Sequence, residues 1–98
     1  MKYRVVLSSH AEQDLSDIVS WYDAIDRRVT DRFDAEVHRA FTFIEENPFL
    51  YARTQGDRRR TKLPSFPYLV IYEILAEAVV VIAIFHTSRL PTIWQSRQ

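Results

Sequence analysis

Residues 58–62 read Arg-Arg-Arg-Thr-Lys, four cations in five positions. Side chains alternate along a strand, so Arg58, Arg60 and Lys62 share one face and Arg59 takes the other. Three cations on one face make a site of phosphate size, because each donates charge-assisted hydrogen bonds to anionic oxygens. The same run also suits a soluble edge strand, where Lys and Arg discourage edge-to-edge pairing. A second cluster, Phe85-His86-Thr87-Ser88-Arg89, directly follows an apolar run. His86 titrates near neutrality and can act as acid or base, and Arg89 can stabilise a developing phosphorane charge. The alternative is a hydrogen-bonded structural histidine at a strand end. Tyr68 and Trp94, near the polar ends of their segments, are candidates for stacking on bases or on a partner. Tyr72 and Phe85 read as core.

Other chemistries are excluded or unsupported. The chain has no Cys, so it holds neither disulfides nor thiolate metal sites. Its single Gly rules out glycine-rich phosphate loops, which need close backbone approach. His10, His38 and His86 have no zinc-ligand spacing, and no Gly-x-Ser-x-Gly elbow surrounds any serine. No metal or cofactor is expected. The longest apolar run, residues 78–85, is far short of the roughly 20 residues that span a bilayer. With no recognisable signal peptide, a cytoplasmic protein is expected. Residues 1–57 carry 7 Lys and Arg against 11 Asp and Glu, whereas residues 58–98 carry 6 against 2. Opposite signs suggest an acidic face and a basic site on the one domain, residues 1–98, that this length accommodates.

The elements that must position these groups follow from periodicity. Tyr3 to Leu7 reads as a first strand. Ser9-His10-Ala11-Glu12 has capping-box form, and Ala11, Leu15, Ile18, Tyr22 and Ile25 then stack on one helical face, widened by Val19 and Trp21. Asp26 caps a second helix carrying Val29, Phe33, Val37, Ala40, Phe41 and Ile44, and Asn47-Pro48 ends it. Residues 48–57 read as loop and the basic run as a short strand over residues 59–63. Residues 68–75 and 79–85 are apolar on both faces, as central strands are, and three intervening residues make them an antiparallel hairpin. The expected fold is α+β: an N-terminal strand, an antiparallel helical hairpin and a mainly antiparallel sheet, in the order β-α-α-β-β-β.

Taken in order, these pieces resemble the RelE/ParE superfamily of toxins from bacterial type II toxin–antitoxin systems. The resemblance rests on Ala11-Glu12-Gln13-Asp14-Leu15-x-Asp17-Ile18, Glu46-Asn47-Pro48, Phe66-Pro67-Tyr68-x-x-x-Tyr72 and Phe85-His86-Thr87-Ser88-Arg89-x-Pro91-x-x-Trp94, spread over nearly the whole chain. It implies a growth inhibitor of plasmid-stabilisation type, held in a hetero-oligomer by a cognate antitoxin that neutralises the basic half, with Arg58, Arg60 and Lys62 among its contacts. One branch of the superfamily cuts mRNA on translating ribosomes without a metal; the ParE branch poisons DNA gyrase. Many cleaving relatives carry Arg directly after the tyrosine of Phe-Pro-Tyr, where this chain has Leu69, and a tyrosine near the C-terminus, where it has Trp94. An indole has no ionisable hydroxyl. The resemblance therefore implies a ParE-like binding inhibitor. The alternatives are an mRNA interferase with catalytic His86 and Arg89 and phosphates on Arg58, Arg60 and Lys62, or a non-toxic member that only binds antitoxin.

Overall fold

The computed structural model describes residues 3–97. Strand β1 (Arg4–Leu7) leads into helices α1 (Ser9–Ile25) and α2 (Arg27–Glu46), then strands β2 (Arg53–Gln55), β3 (Arg58–Lys62), β4 (Tyr68–Leu75) and β5 (Ala78–His86), and a short helix α3 (Thr92–Gln95). The five strands form one sheet in the order β1-β5-β4-β3-β2. All neighbours are antiparallel except β1, which runs parallel to β5. The expected α+β architecture is present, with two elements the sequence reading did not separate, β2 and α3.

The helical hairpin is set by its caps. Ser8, one residue before the expected position, caps α1 by accepting the Ala11 amide at 3.1 Å. Ser8 wins because its own N–H is already engaged by the Val81 carbonyl of β5, which fixes where the chain leaves the sheet. Asp26 alone separates the helices: its N–H donates to the Tyr22 carbonyl, and its carboxylate accepts the Arg28 amide at 2.9 Å. Bonds from the Arg28 side chain and backbone hold the Asp26 carboxyl below its usual range.

The core lies between the hairpin and one face of the sheet. Phe33, Ile44, Val70, Tyr72, Val79 and Val81 are fully buried there. At one end Tyr22, Phe33, Phe66 and Tyr68 pack edge-on or tilted, with centroids 5.3–6.5 Å apart. Such contacts contribute roughly 0.5–1.5 kcal/mol each beyond area burial. Trp21 and Ile25, expected to extend the α1 stripe, are 65 % and 63 % exposed instead. The stripe is narrower because only Ala11 and Ile18 of α1 are buried outright.

Alternation along β5 breaks once. Ile71 of β4 pairs with Ala83 and Tyr72 pairs with Val81, leaving Ile82 as the extra residue of a bulge. Before the bulge Val79 and Val81 face the helices; after it Ile84 does. Ile82, Ala83 and Phe85 join Ile71 and Trp94 in a second apolar cluster on the sheet's outer face, beneath α3. The bulge thus reverses the parity of the strand end and turns His86 toward the helical face. Between β2 and β3, Gly56 at φ 55° makes a two-residue turn in which a side chain would be strained.

Candidate functional site

β3 starts and ends one residue before the expected strand over residues 59–63, and its side chains alternate as expected. Arg60 and Lys62 pair with Ile71 and Leu69, so Arg58, Arg60 and Lys62 share the outer face. Arg59 pairs with Tyr72 on the helical face, donates to the Phe49 and Tyr51 carbonyls, and stacks over the Phe49 ring.

The three outer cations do not form one open site. Arg58 is only 8 % exposed. Its guanidinium donates to Glu73 at 3.1 Å, to Gln55, and to the Trp94, Gln95 and Arg97 carbonyls of the segment that holds α3. It also lies 5.9 Å from the centroid of the Trp94 ring. Arg58 is therefore a clamp that holds α3 against the sheet, with its donors used inside the fold. The Lys62 ammonium turns onto the Leu63 and Phe66 carbonyls. Arg60 is exposed with no side-chain partner among the described residues. Trp94 is buried against Phe85, its ring 6.2 Å away edge-on, so its indole does not face solvent as a stacking platform.

His86 lies on the opposite side of the sheet. It pairs with Tyr68, whose ring meets the imidazole edge-on at 5.2 Å. Nδ1 accepts the Ser88 amide at 3.1 Å and lies 2.7 Å from the Ser88 hydroxyl. An acceptor Nδ1 puts the proton of the neutral ring on Nε2, so the ring presents a donor to its surroundings. Burial, with Tyr22 close by, pushes the Tyr68 hydroxyl up to about 12, which keeps it protonated at neutral pH.

His86, Arg89 and Tyr68 do meet in one place, a cleft of about 570 Å³ between α1 and α3. Its origin is topological. β1 ends at Leu7 opposite Val81, so the β5 edge beyond Val81 has no strand beside it. Side chains replace the missing strand. Asp14 accepts the Ile84 amide at 3.1 Å, and Ser8 and Arg97 donate to the Ile82 carbonyl. Asp14 also holds Arg97 through two bonds, at 2.6 and 3.2 Å. Asp17, Trp21, Tyr22 and Ile93 complete the walls. Asp14, Asp17 and Arg97 were not expected as site residues. The available signal was α1 itself, which carries Glu12, Asp14, Asp17 and Asp23 and no Lys or Arg.

An N-terminal strand, a helical hairpin and a mainly antiparallel sheet match the fold of small RelE/ParE-type toxins. The chain superposes on the chromosomal ParDE toxin–antitoxin system from P. aeruginosa with a TM-score of 0.77 at 11 % identity, covering 89 % of this chain and 98 % of that one. It is also similar to the RelBE2 toxin–antitoxin complex from Mycobacterium tuberculosis (TM-score 0.62, 18 % identity, covering 88 % and 99 %). A doubly substituted RelE toxin from E. coli in the free state gives 0.60 at 17 % identity, covering 90 % and 86 %. Residues 5–91 match the family model of the ParE toxin of type II toxin–antitoxin systems, and the chain belongs to that family. None of the curated proteins matches it.

Proposed function

We propose that this chain is the growth-inhibiting half of a type II toxin–antitoxin module and acts by binding, with DNA gyrase as its target. The observation that carries the reading is the separation of the groups an RNA-cleaving site needs. Cleavage through a 2′-hydroxyl requires a base, an acid and a phosphate clamp within reach of one phosphodiester. Here the exposed cations Arg60 and Lys62 lie on the outer face, while His86 lies on the helical face with its acceptor nitrogen occupied and with Arg89, but none of the 58–62 cations, in its cleft. The buried Arg58 and Trp94 add nothing to an open site. A cognate antitoxin in the same cytoplasm is the natural partner, since solved relatives include toxin–antitoxin complexes. Purified toxin added to gyrase and relaxed plasmid is the test. Loss of supercoiling is expected; unchanged supercoiling and unchanged gyrase–DNA cleavage complexes at saturating toxin would overturn the target.

A second reading, ribosome-dependent mRNA cleavage, is favoured by one observation. His86, Arg89, Tyr22 and Tyr68 share a cleft wide enough for a nucleotide. Unlike the first reading, it requires His86 Nε2 to exchange a proton, so His86→Ala would abolish growth arrest while His86→Gln would not restore it.

A further inference from the structure

We infer that the cleft along the unpaired β5 edge is the surface by which this protein grips its target, and that it takes a protein segment bearing an apolar anchor next to Lys or Arg. The inference rests on the binding-inhibitor reading and assigns it a place on the molecule. Asp14, Asp17 and Trp21 follow one another at three- and four-residue steps, so they lie along one face of α1. All three line the cleft. The chain itself displays the chemistry this face favours: Asp14 holds the Arg97 guanidinium through two bonds. Asp17, one turn further on, accepts only a bond from Gln13 at 2.8 Å and has no ion-pair partner among the described residues. Trp21 beside it is 65 % exposed, and Ile93 on the facing wall is 41 % exposed.

A carboxylate one turn from an open indole face is a receptor for a cationic side chain, which gains an ion pair and a cation–π contact together. The apolar anchor belongs between Trp21 and Ile93, over buried Ile18 and Phe85. At the far end, Arg89 and the His86 Nε2 proton offer donors to the carbonyl oxygens of the segment. The Asp17 carboxylate beside the open Trp21 indole disfavours a phosphate at this end of the cleft, so the occupant is protein.

Titration with the blocked dipeptide acetyl-Arg-Leu-amide, followed at the Trp21 indole N–H in ¹⁵N spectra, tests the cleft; Trp21→Ala assigns that signal. A saturable shift is expected, weaker by roughly tenfold for acetyl-Glu-Leu-amide or for Asp17→Lys, the loss of one cation–π contact and one ion pair. Equal response to the acidic peptide would overturn the proposal. So would a Trp21 shift that depends on protein concentration alone, which would make a second copy the occupant. In cells, Asp17→Lys and Trp21→Ala should each lose growth arrest while melting like the unmodified protein by circular dichroism. Variants that still arrest growth, or that lose only neutralisation by antitoxin, would overturn the target assignment. If the unmodified toxin causes no arrest, the toxin reading fails, while the peptide titration still decides the cleft.

Discussion

Replacing Arg58 with Ala tests whether the basic strand serves the fold or a ligand. The substitution removes the guanidinium that donates to the Glu73 carboxylate and to the Trp94, Gln95 and Arg97 carbonyls. Removing one partner of a buried ion pair costs about 3–5 kcal/mol, because the remaining charge stays uncompensated. Glu73 is 29 % exposed on its side chain, so water recovers part of this and about 3 kcal/mol is expected. For a small domain that is a large share of the total stability of roughly 5–15 kcal/mol. In urea the unfolding midpoint should fall by roughly 2 M, taking a slope of about 1.5 kcal/mol/M. The loss should begin at the C-terminal segment, so limited proteolysis should release residues 92–97 before the sheet opens. A cycle with Glu73→Ala should show coupling of about 1 kcal/mol or more. A midpoint within about 0.3 M of the unmodified protein, together with lost toxicity, would refute this account and return Arg58 to a ligand-binding role.

Alkaline pH should destabilise the protein between about 10 and 12. Burial pushes the Tyr68 and Tyr72 hydroxyls up to about 12, whereas unfolded tyrosine ionises near 10, so the native state binds more protons in that window and loses stability as pH rises through it. Tyr72→Phe should remove its share, on the order of 2 kcal/mol, from the difference between urea midpoints at pH 9 and pH 11.5. Because the Tyr72 hydroxyl donates to the Pro48 carbonyl at 2.6 Å, the same variant should lose about 1 kcal/mol at pH 7. Asp14→Ala should cost about 2 kcal/mol and speed hydrogen exchange at the Ile84 amide, whose acceptor it removes. Phe33→Ala, at a fully buried centre of the aromatic cluster, should cost about 3–5 kcal/mol in chemical denaturation.

The sequence made the element order and the central hairpin legible because both depend on local periodicity. Asp26 announced its cap because few other residues accept an amide there, and β4 and β5 announced their central place by being apolar on both faces. The Ser8 cap was hidden, since choosing Ser8 over Ser9 requires the Val81 carbonyl, more than seventy residues away. Strand β2, at three residues, is too short to show a period, and α3 exists largely because Arg58 and the Phe85 face receive it. The face shared by Arg58, Arg60 and Lys62 was readable from alternation. The fate of Arg58 was not, because burial beneath α3 is a tertiary fact. The side of the sheet taken by His86 depends on a bulge at Ile82, inside a run of apolar residues with no local mark of it. The cleft was invisible for the same reason: it is the empty place beside β5 left when β1 stops at Leu7.

The central claim is that this toxin inhibits by binding and cuts no RNA. Mapping mRNA 5′ ends on translating ribosomes within minutes of induction, in cells whose growth has just stopped, tests it most directly. The account predicts growth arrest with no new ends above the uninduced pattern. New ends at ribosome-bound codons that disappear with His86→Ala would contradict it.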